Sequence, residues 1–147
     1  MRSRAILLLR LLLGVIFLYA AYTKLKESYL VFAMSIDSYQ ILPPEAVLGV
    51  ARTLPWIELA IGVWLLAGWR VVPAAIASTA ILGTFFGVMV FTYGRGVAID
   101  CGCFGLGEAM SWKTLLRDGT LVAASAALAV LAWSGGPAEP RSSVSVT

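Results

Sequence analysis

The residues of this chain best suited to chemistry are its two cysteines, Cys101 and Cys103. They lie in Asp100-Cys101-Gly102-Cys103-Phe104-Gly105, inside a glycine-rich stretch over residues 94–107. Two positions apart in an extended chain, their Cα atoms are about 6.6 Å apart with both side chains on one face. That is near the upper limit for a disulfide. Gly102 tolerates positive φ and can bend the backbone to shorten the gap. So small a ring is expected to be strained, and strained disulfides exchange readily. It closes almost no loop, so it adds little entropic stabilisation. The spacing therefore suits a labile, exchanging bond better than a structural staple. The competing reading is a pair of inert cysteines packed as small hydrophobes. Charge acts both ways here. Asp100 disfavours a neighbouring thiolate, whereas Arg95, Lys113, Arg117 and the start of the following helix favour one when close.

Metal chemistry finds little support. The chain has no histidine, and two cysteines cannot complete the four-ligand shell of a structural zinc ion. Haem held by histidine is excluded within this chain. No cofactor is demanded by the residues; one needing neither ligand, such as a quinone, stays open.

Glu58 is the second candidate. It falls near the middle of an apolar stretch, where an ionisable side chain is costly and is usually paired or functional. Arg10 interrupts the first apolar run, and an antiparallel arrangement puts the two within about 8 Å in depth. Arg10 is therefore the predicted partner. Arg52 is the other cation in range, but six positions along a helix it faces elsewhere unless Pro55 bends the chain. The pair reads as an ion pair locking two helices, with a proton or quinone site as the functional alternative.

These residues need a frame, and composition indicates a membrane. The chain has 147 residues, 60% hydrophobic and 13% charged, against about 25% charged in soluble domains. Its net charge of +3 comes without a basic run, which gives nucleic acid no purchase. Four apolar runs, over residues 5–22, 45–68, 71–93 and 112–133, are each long enough to cross a bilayer. The first also looks like a secretory signal, but Arg10 splits it and no convincing cleavage site follows, so a retained helix is expected. Residues 23–44 form a connection. In it Ser28 can cap a short helix over residues 29–39, too short to span and aromatic enough to lie at the interface. Pro43-Pro44 ends that helix and starts the next. Ser111 can cap the fourth span. Small residues along the third span permit close packing. Trp69, Trp112, Trp133, Tyr22 and Tyr93 fall at span boundaries as an interfacial belt. Residues 134–147 are small and polar and are expected to be a disordered tail. The predicted fold is all-α: an integral membrane four-helix bundle over residues 1–133, with a short interfacial helix between spans one and two.

Charge does not orient the bundle. Arg2, Arg4, Arg70 and Arg141 fall on one side and Lys24, Lys26, Arg95 and Lys113 on the other, four against four, a tie under the positive-inside rule. Placing the cysteines in an oxidising compartment, where disulfides persist, puts both termini in the cytoplasm.

The pattern as a whole is familiar. Lys24-Leu25, Phe32, Tyr39, Leu42-Pro43, Pro55-Trp56-Ile57-Glu58-Leu59, Gly62 and Leu65-Leu66 precede Arg95-Gly96, the Asp-Cys-Gly-Cys-Phe-Gly motif and Leu116-Arg117-Asp118. This resembles the methylamine utilisation protein MauE family, within the broader DoxX-like group of four-helix membrane proteins. Cys-Gly-Cys-Phe-Gly is the most specific part of the likeness. One departure is Tyr22 after Ala20-Ala21, where many DoxX-like chains carry glycine.

The resemblance implies a membrane protein that supports maturation of a secreted partner. In the methylamine system this is the disulfide-rich small subunit of methylamine dehydrogenase, with the thioredoxin-like MauD acting alongside. Two functions are then in competition. One is a membrane thiol–disulfide oxidoreductase, or electron conduit, serving an extracytoplasmic thioredoxin-like partner and a secreted, disulfide-containing client. Known quinone-linked disulfide generators carry a second relay pair, which is missing here. The other is a non-enzymatic assembly factor or scaffold, with the glycine-rich loop as docking surface.

Overall fold

The computed structural model describes residues 1–97 and 109–135, and its elements are all helices. They are α1 (Arg2–Lys26), α2 (Tyr29–Asp37), α3 (Pro44–Ala67), α4 (Val71–Gly94) and α5 (Trp112–Trp133). Four of them, α1, α3, α4 and α5, are long and apolar enough to cross a membrane. The protein is an all-α, four-helix membrane bundle, and α2 is the short extra helix between its first two spans.

Local sequence sets the ends. The Ser28 hydroxyl accepts a hydrogen bond from the Leu30 amide at 3.4 Å and starts α2. The Ser111 hydroxyl does the same for Thr114 at the start of α5. Each satisfies an amide that the first helical turn leaves unpaired. Pro44 opens α3, where the missing N–H costs nothing. Pro55 sits inside α3, and the helix continues through it. Gly68 closes α3 at φ +74°, and the two-residue turn Trp69-Arg70 leads into α4.

The bundle is built from two helix pairs, α1 against α3 and α4 against α5, with α2 lying on α3. Gly14 and Gly62 are the reason α1 and α3 come so close. A Cβ at Gly14 would lie 2.8 Å from Leu66, and one at Gly62 would lie 3.0 Å from Leu18. The tight crossing fixes an antiparallel register in which sequence position falls on one helix as it rises on the other. The central core is apolar, built on Leu13, Phe17, Ile61, Leu65 and Leu128. A second cluster joins Phe32 and Ala33 of α2 to Val47, Ala51 and Leu54 of α3.

The two ends of the bundle differ. At the terminal end Arg2 donates to the Leu131 carbonyl at 2.6 Å and to the Ser134 hydroxyl at 2.7 Å, tying the start of α1 to the finish of α5. A cation at a helix C-terminus also meets a favourable dipole. At the opposite end α1 finishes, α2 lies across α3, and the chain passes from α4 to α5. We refer to this as the loop end. Tyr39, Met89, Met110 and Leu115 pack together there.

One expectation needs correction here. Lys24 and Lys26 are not part of a connection: α1 runs through both, and Lys24 is buried in its last turn. The apolar run ends at Tyr22, but a lysine whose charge is neutralised costs the helix little and extends it by a turn. The expected tail falls largely outside the described residues, which stop at Gly135.

Candidate functional site

Glu58 is 5% exposed and faces the protein, and its partner is Lys24. The Lys24 ammonium donates to both carboxylate oxygens, at 3.0 and 2.9 Å. The ammonium also stands 5.4 Å from the centroid of the Phe32 ring, within cation–π range. Lys24 is thus held from three elements: its own helix, the acid of α3 and the aromatic ring of α2.

Arg10 is not the partner of Glu58. Its guanidinium packs against Gly68, where any Cβ would collide with it. In the α1–α3 register Arg10 is level with the end of α3. That is ten residues beyond Glu58, or about 15 Å along the helix. The expectation measured depth from the ends of the apolar runs, and α1 is longer than its apolar run at both ends. Arg52, the other cation considered, donates to the Tyr29 hydroxyl at 3.2 Å and stacks 4.7 Å from that ring's centroid. It anchors α2 to α3.

A third ionisable group converges on the pair. Asp118, in the second turn of α5, is 7% exposed and accepts from Arg117 at 3.0 and 3.4 Å. Lys24, Glu58 and Asp118 line one cavity of about 40 Å³, walled by the rings of Phe17, Phe85 and Phe86. All four spanning helices contribute to it. At that volume it is far smaller than the roughly 300 to 1,000 Å³ of an ordinary small-molecule pocket. It lies toward the loop end, between the last turn of α1 and the second turn of α5. Among the described residues, no cluster of histidine, cysteine, aspartate and glutamate is suited to hold a metal ion.

Sequence reasoning named Glu58 but missed Lys24 and Asp118 as parts of a site. A signal for Lys24 was present. A buried carboxylate needs a cation at its own depth on a neighbouring helix, and Lys24 qualifies once α1 is allowed to run past Tyr22. Asp118 entered the sequence reading only within the Leu116-Arg117-Asp118 stretch of the family pattern, with no signal that it faces Glu58's side of the bundle. The remaining predicted site residues, Asp100, Cys101, Gly102, Cys103, Phe104 and Gly105, lie outside the described residues. The described helices that flank that segment in sequence are α4, which ends at Gly94, and α5, which begins at Trp112.

The family model for methylamine utilisation protein MauE matches residues 2–133. The chain belongs to the MauE family. Among its members, the methylamine utilization protein MauE of Paracoccus denitrificans is 36% identical over 124 residues, covering 82% of this chain and 66% of the relative. The MauE protein of Paracoccus versutus is 36% identical over 137 residues, covering 89% of this chain and 73% of the relative. This chain therefore spans about two thirds to three quarters of the length of these MauE relatives. No solved structure matches it. The MauE match takes in all five helices, the buried cluster and the cysteine segment.

Proposed function

We propose that this protein serves methylamine utilisation as a membrane thiol–disulfide exchange factor, with Cys101 and Cys103 as the exchanging pair. The single observation that carries this reading is the family match over residues 2–133, which includes the Cys-Gly-Cys segment. The relatives are named for methylamine utilisation, and the bundle is a membrane frame for one short loop. The client is a secreted, disulfide-containing protein, reached through a thioredoxin-like partner on the extracytoplasmic side. Both termini are then cytoplasmic.

The exchange is a two-step substitution at sulfur. The Cys103 thiolate attacks a partner disulfide; a new S–S bond forms and the partner's leaving sulfur departs as a thiolate. The Cys101 thiolate then attacks the Cys103 sulfur, closing the Cys101–Cys103 bond and releasing the partner's second thiolate. The pair has been oxidised and the partner reduced. Run in reverse, the same steps oxidise the partner. Asp100 abuts Cys101 and disfavours its thiolate, which leaves Cys103 as the attacking sulfur. Gly102 and Gly105 leave room for a second chain to approach.

The test is the redox state of the two thiols in cells, read by alkylation mass shift, together with Cys101→Ser and Cys103→Ser singly and combined. An exchanging pair is found partly oxidised, and the double variant fails to mature the client. A double variant that supports the client normally assigns the loop to docking and the protein to scaffolding.

A further inference from the structure

The two ends of the bundle differ sharply in charge. Arg2, Arg4, Arg10 and Arg70 all lie at the terminal end. The acids among the described residues are Glu27, Asp37, Glu45, Glu58 and Asp118. None comes nearer to the terminal end than Glu58, which stands about 15 Å of helix back from it and is already paired with Lys24. These arginines are therefore gathered at one end with no described carboxylate to meet them. Arg4 and Arg70 are exposed and make no hydrogen bond or ion pair among the described residues. The Nε of Arg10 is buried without a partner. Like charges gathered in this way repel, and an anion from outside the chain relieves them.

The same end carries an open groove of about 920 Å³ between the start of α1, the start of α4 and the finish of α5. Ile6, Val71, Val72, Ala132 and Trp133 form its apolar walls, and Arg70 stands in its lining. Arg2 borders it: a Cβ on Gly135, which also lines the groove, would lie 3.4 Å from the Arg2 Nη2. Both bonds that Arg2 makes to the end of α5 use that one nitrogen, which leaves its Nε and Nη1 for another acceptor. Arg70 holds a left-handed backbone at φ +48°, where a glycine would be free of strain. The turn itself does not call for an arginine, so the residue is explained by its guanidinium. Trp133, 71% exposed on the groove, is a side chain of the kind that sits at headgroup level.

We propose that this groove holds one anionic phospholipid, with its phosphate against the guanidinium groups of Arg70 and Arg2 and the upper part of an acyl chain along Ile6, Val72 and Ala132. Charge complementarity selects the occupant. An arginine fork matches a phosphate in geometry as well as in charge, and a basic recess between spanning helices is a form in which membrane proteins take anionic headgroups. A zwitterionic lipid brings its own cation to the arginines and gains less. The bound lipid bridges α1 to α4 and α5, adding to the tie that Arg2 makes between α1 and α5. The inference does not depend on thiol exchange, since no residue of the cysteine segment takes part.

The full-length protein in detergent, offered equal amounts of phosphatidylglycerol and phosphatidylcholine, provides the test. Native mass spectrometry reads the lipid each protein retains. The variants are Arg70→Gln, Ala132→Phe, which fills the groove and keeps every charge, and Lys26→Gln, which makes the same charge change at the loop end. A chain ending at Gly135 completes the set. The wild type is expected to retain one phosphatidylglycerol in preference to phosphatidylcholine. Arg70→Gln lowers that retention about fivefold, the factor one basic residue carries beside an anionic surface. Ala132→Phe lowers it as well, and Lys26→Gln leaves it unchanged. A wild type without preference overturns the proposal. So does equal loss in Lys26→Gln and Arg70→Gln, which reduces the effect to diffuse attraction. A preference seen only in the chain ending at Gly135 gives the groove to residues 136–147, and a lipid-free dimer gives it to a second copy; either result is equally fatal. Arg70 is exposed, so its replacement leaves the core intact. Should Ala132→Phe not fold, the comparison of Arg70→Gln with Lys26→Gln decides.

Discussion

Lys24 and Glu58, 34 positions apart in sequence, form a two-oxygen ion pair at 3.0 and 2.9 Å with both side chains buried. The pair joins the last turn of α1 to the interior of α3. It does so on the side of the bundle where α2 and the cysteine segment are attached.

Removing one member of such a pair strands the other. Glu58→Gln is expected to destabilise the bundle by about 3 to 5 kcal/mol, and Lys24→Met with Glu58→Leu by far less. Thermal melting of the purified proteins in one detergent gives the comparison. Equal melting of Glu58→Gln and wild type would show that the pair contributes nothing to stability.

The α1–α3 crossing depends on absent side chains. Gly62→Val is expected to cost about 1 to 3 kcal/mol through overpacking, because a Cβ there already meets Leu18 at 3.0 Å. Gly83→Ala on α4 meets nothing within 4 Å, and it is expected to be neutral or to gain up to about 1 kcal/mol of helix propensity. The same melting measurement separates the two, and similar effects at both sites would contradict the packing described.

Gly68 combines a left-handed backbone with the Arg10 guanidinium on its Cα face. Gly68→Ala is expected to destabilise by about 1 kcal/mol from backbone strain alone, and further from the collision. Arg10→Ala in the same chain should recover the collision part and leave the strain. A double variant no better than Gly68→Ala rejects the contact.

For the cysteine pair, Cys101→Ser is expected to accumulate a reducible, higher-mass adduct with a thioredoxin-like protein after acid trapping. Cys103→Ser should give much less. Non-reducing gels read both, and the reverse pattern exchanges the roles of the two sulfurs.

Topology has a direct test as well. Reporter fusions at Thr147 and within residues 105–108 should report opposite sides of the membrane, with the tail inside. A tail reporter active outside the cell inverts the orientation.

Much of the frame was legible because bilayer thickness acts on every residue of a span at once: four long apolar runs need no register to be recognised. The caps at Ser28 and Ser111 were legible because capping is a local contact. The partner of Glu58 was not, because pairing depends on the relative sliding of two helices. That offset is set by Gly14, Gly62, Leu18 and Leu66 meeting side by side, and no single stretch of sequence carries it. Lys24 was hidden further by the habit of ending a span where its apolar run ends. Asp118 joins the site only through the placement of α5 against α1, a relationship across almost the whole chain.

The Lys24–Glu58 contact also bears on the order in which the chain is made. Helix α1 leaves the ribosome carrying a lysine whose counter-ion has not yet been synthesised. Its position in the last turn lets the ammonium reach back to the water interface during that interval. When α3 arrives, the carboxylate draws the ammonium inward and the two helices seat against one another. A mis-threaded first helix would leave Glu58 without its cation inside the bilayer, which is a costly state for a carboxylate.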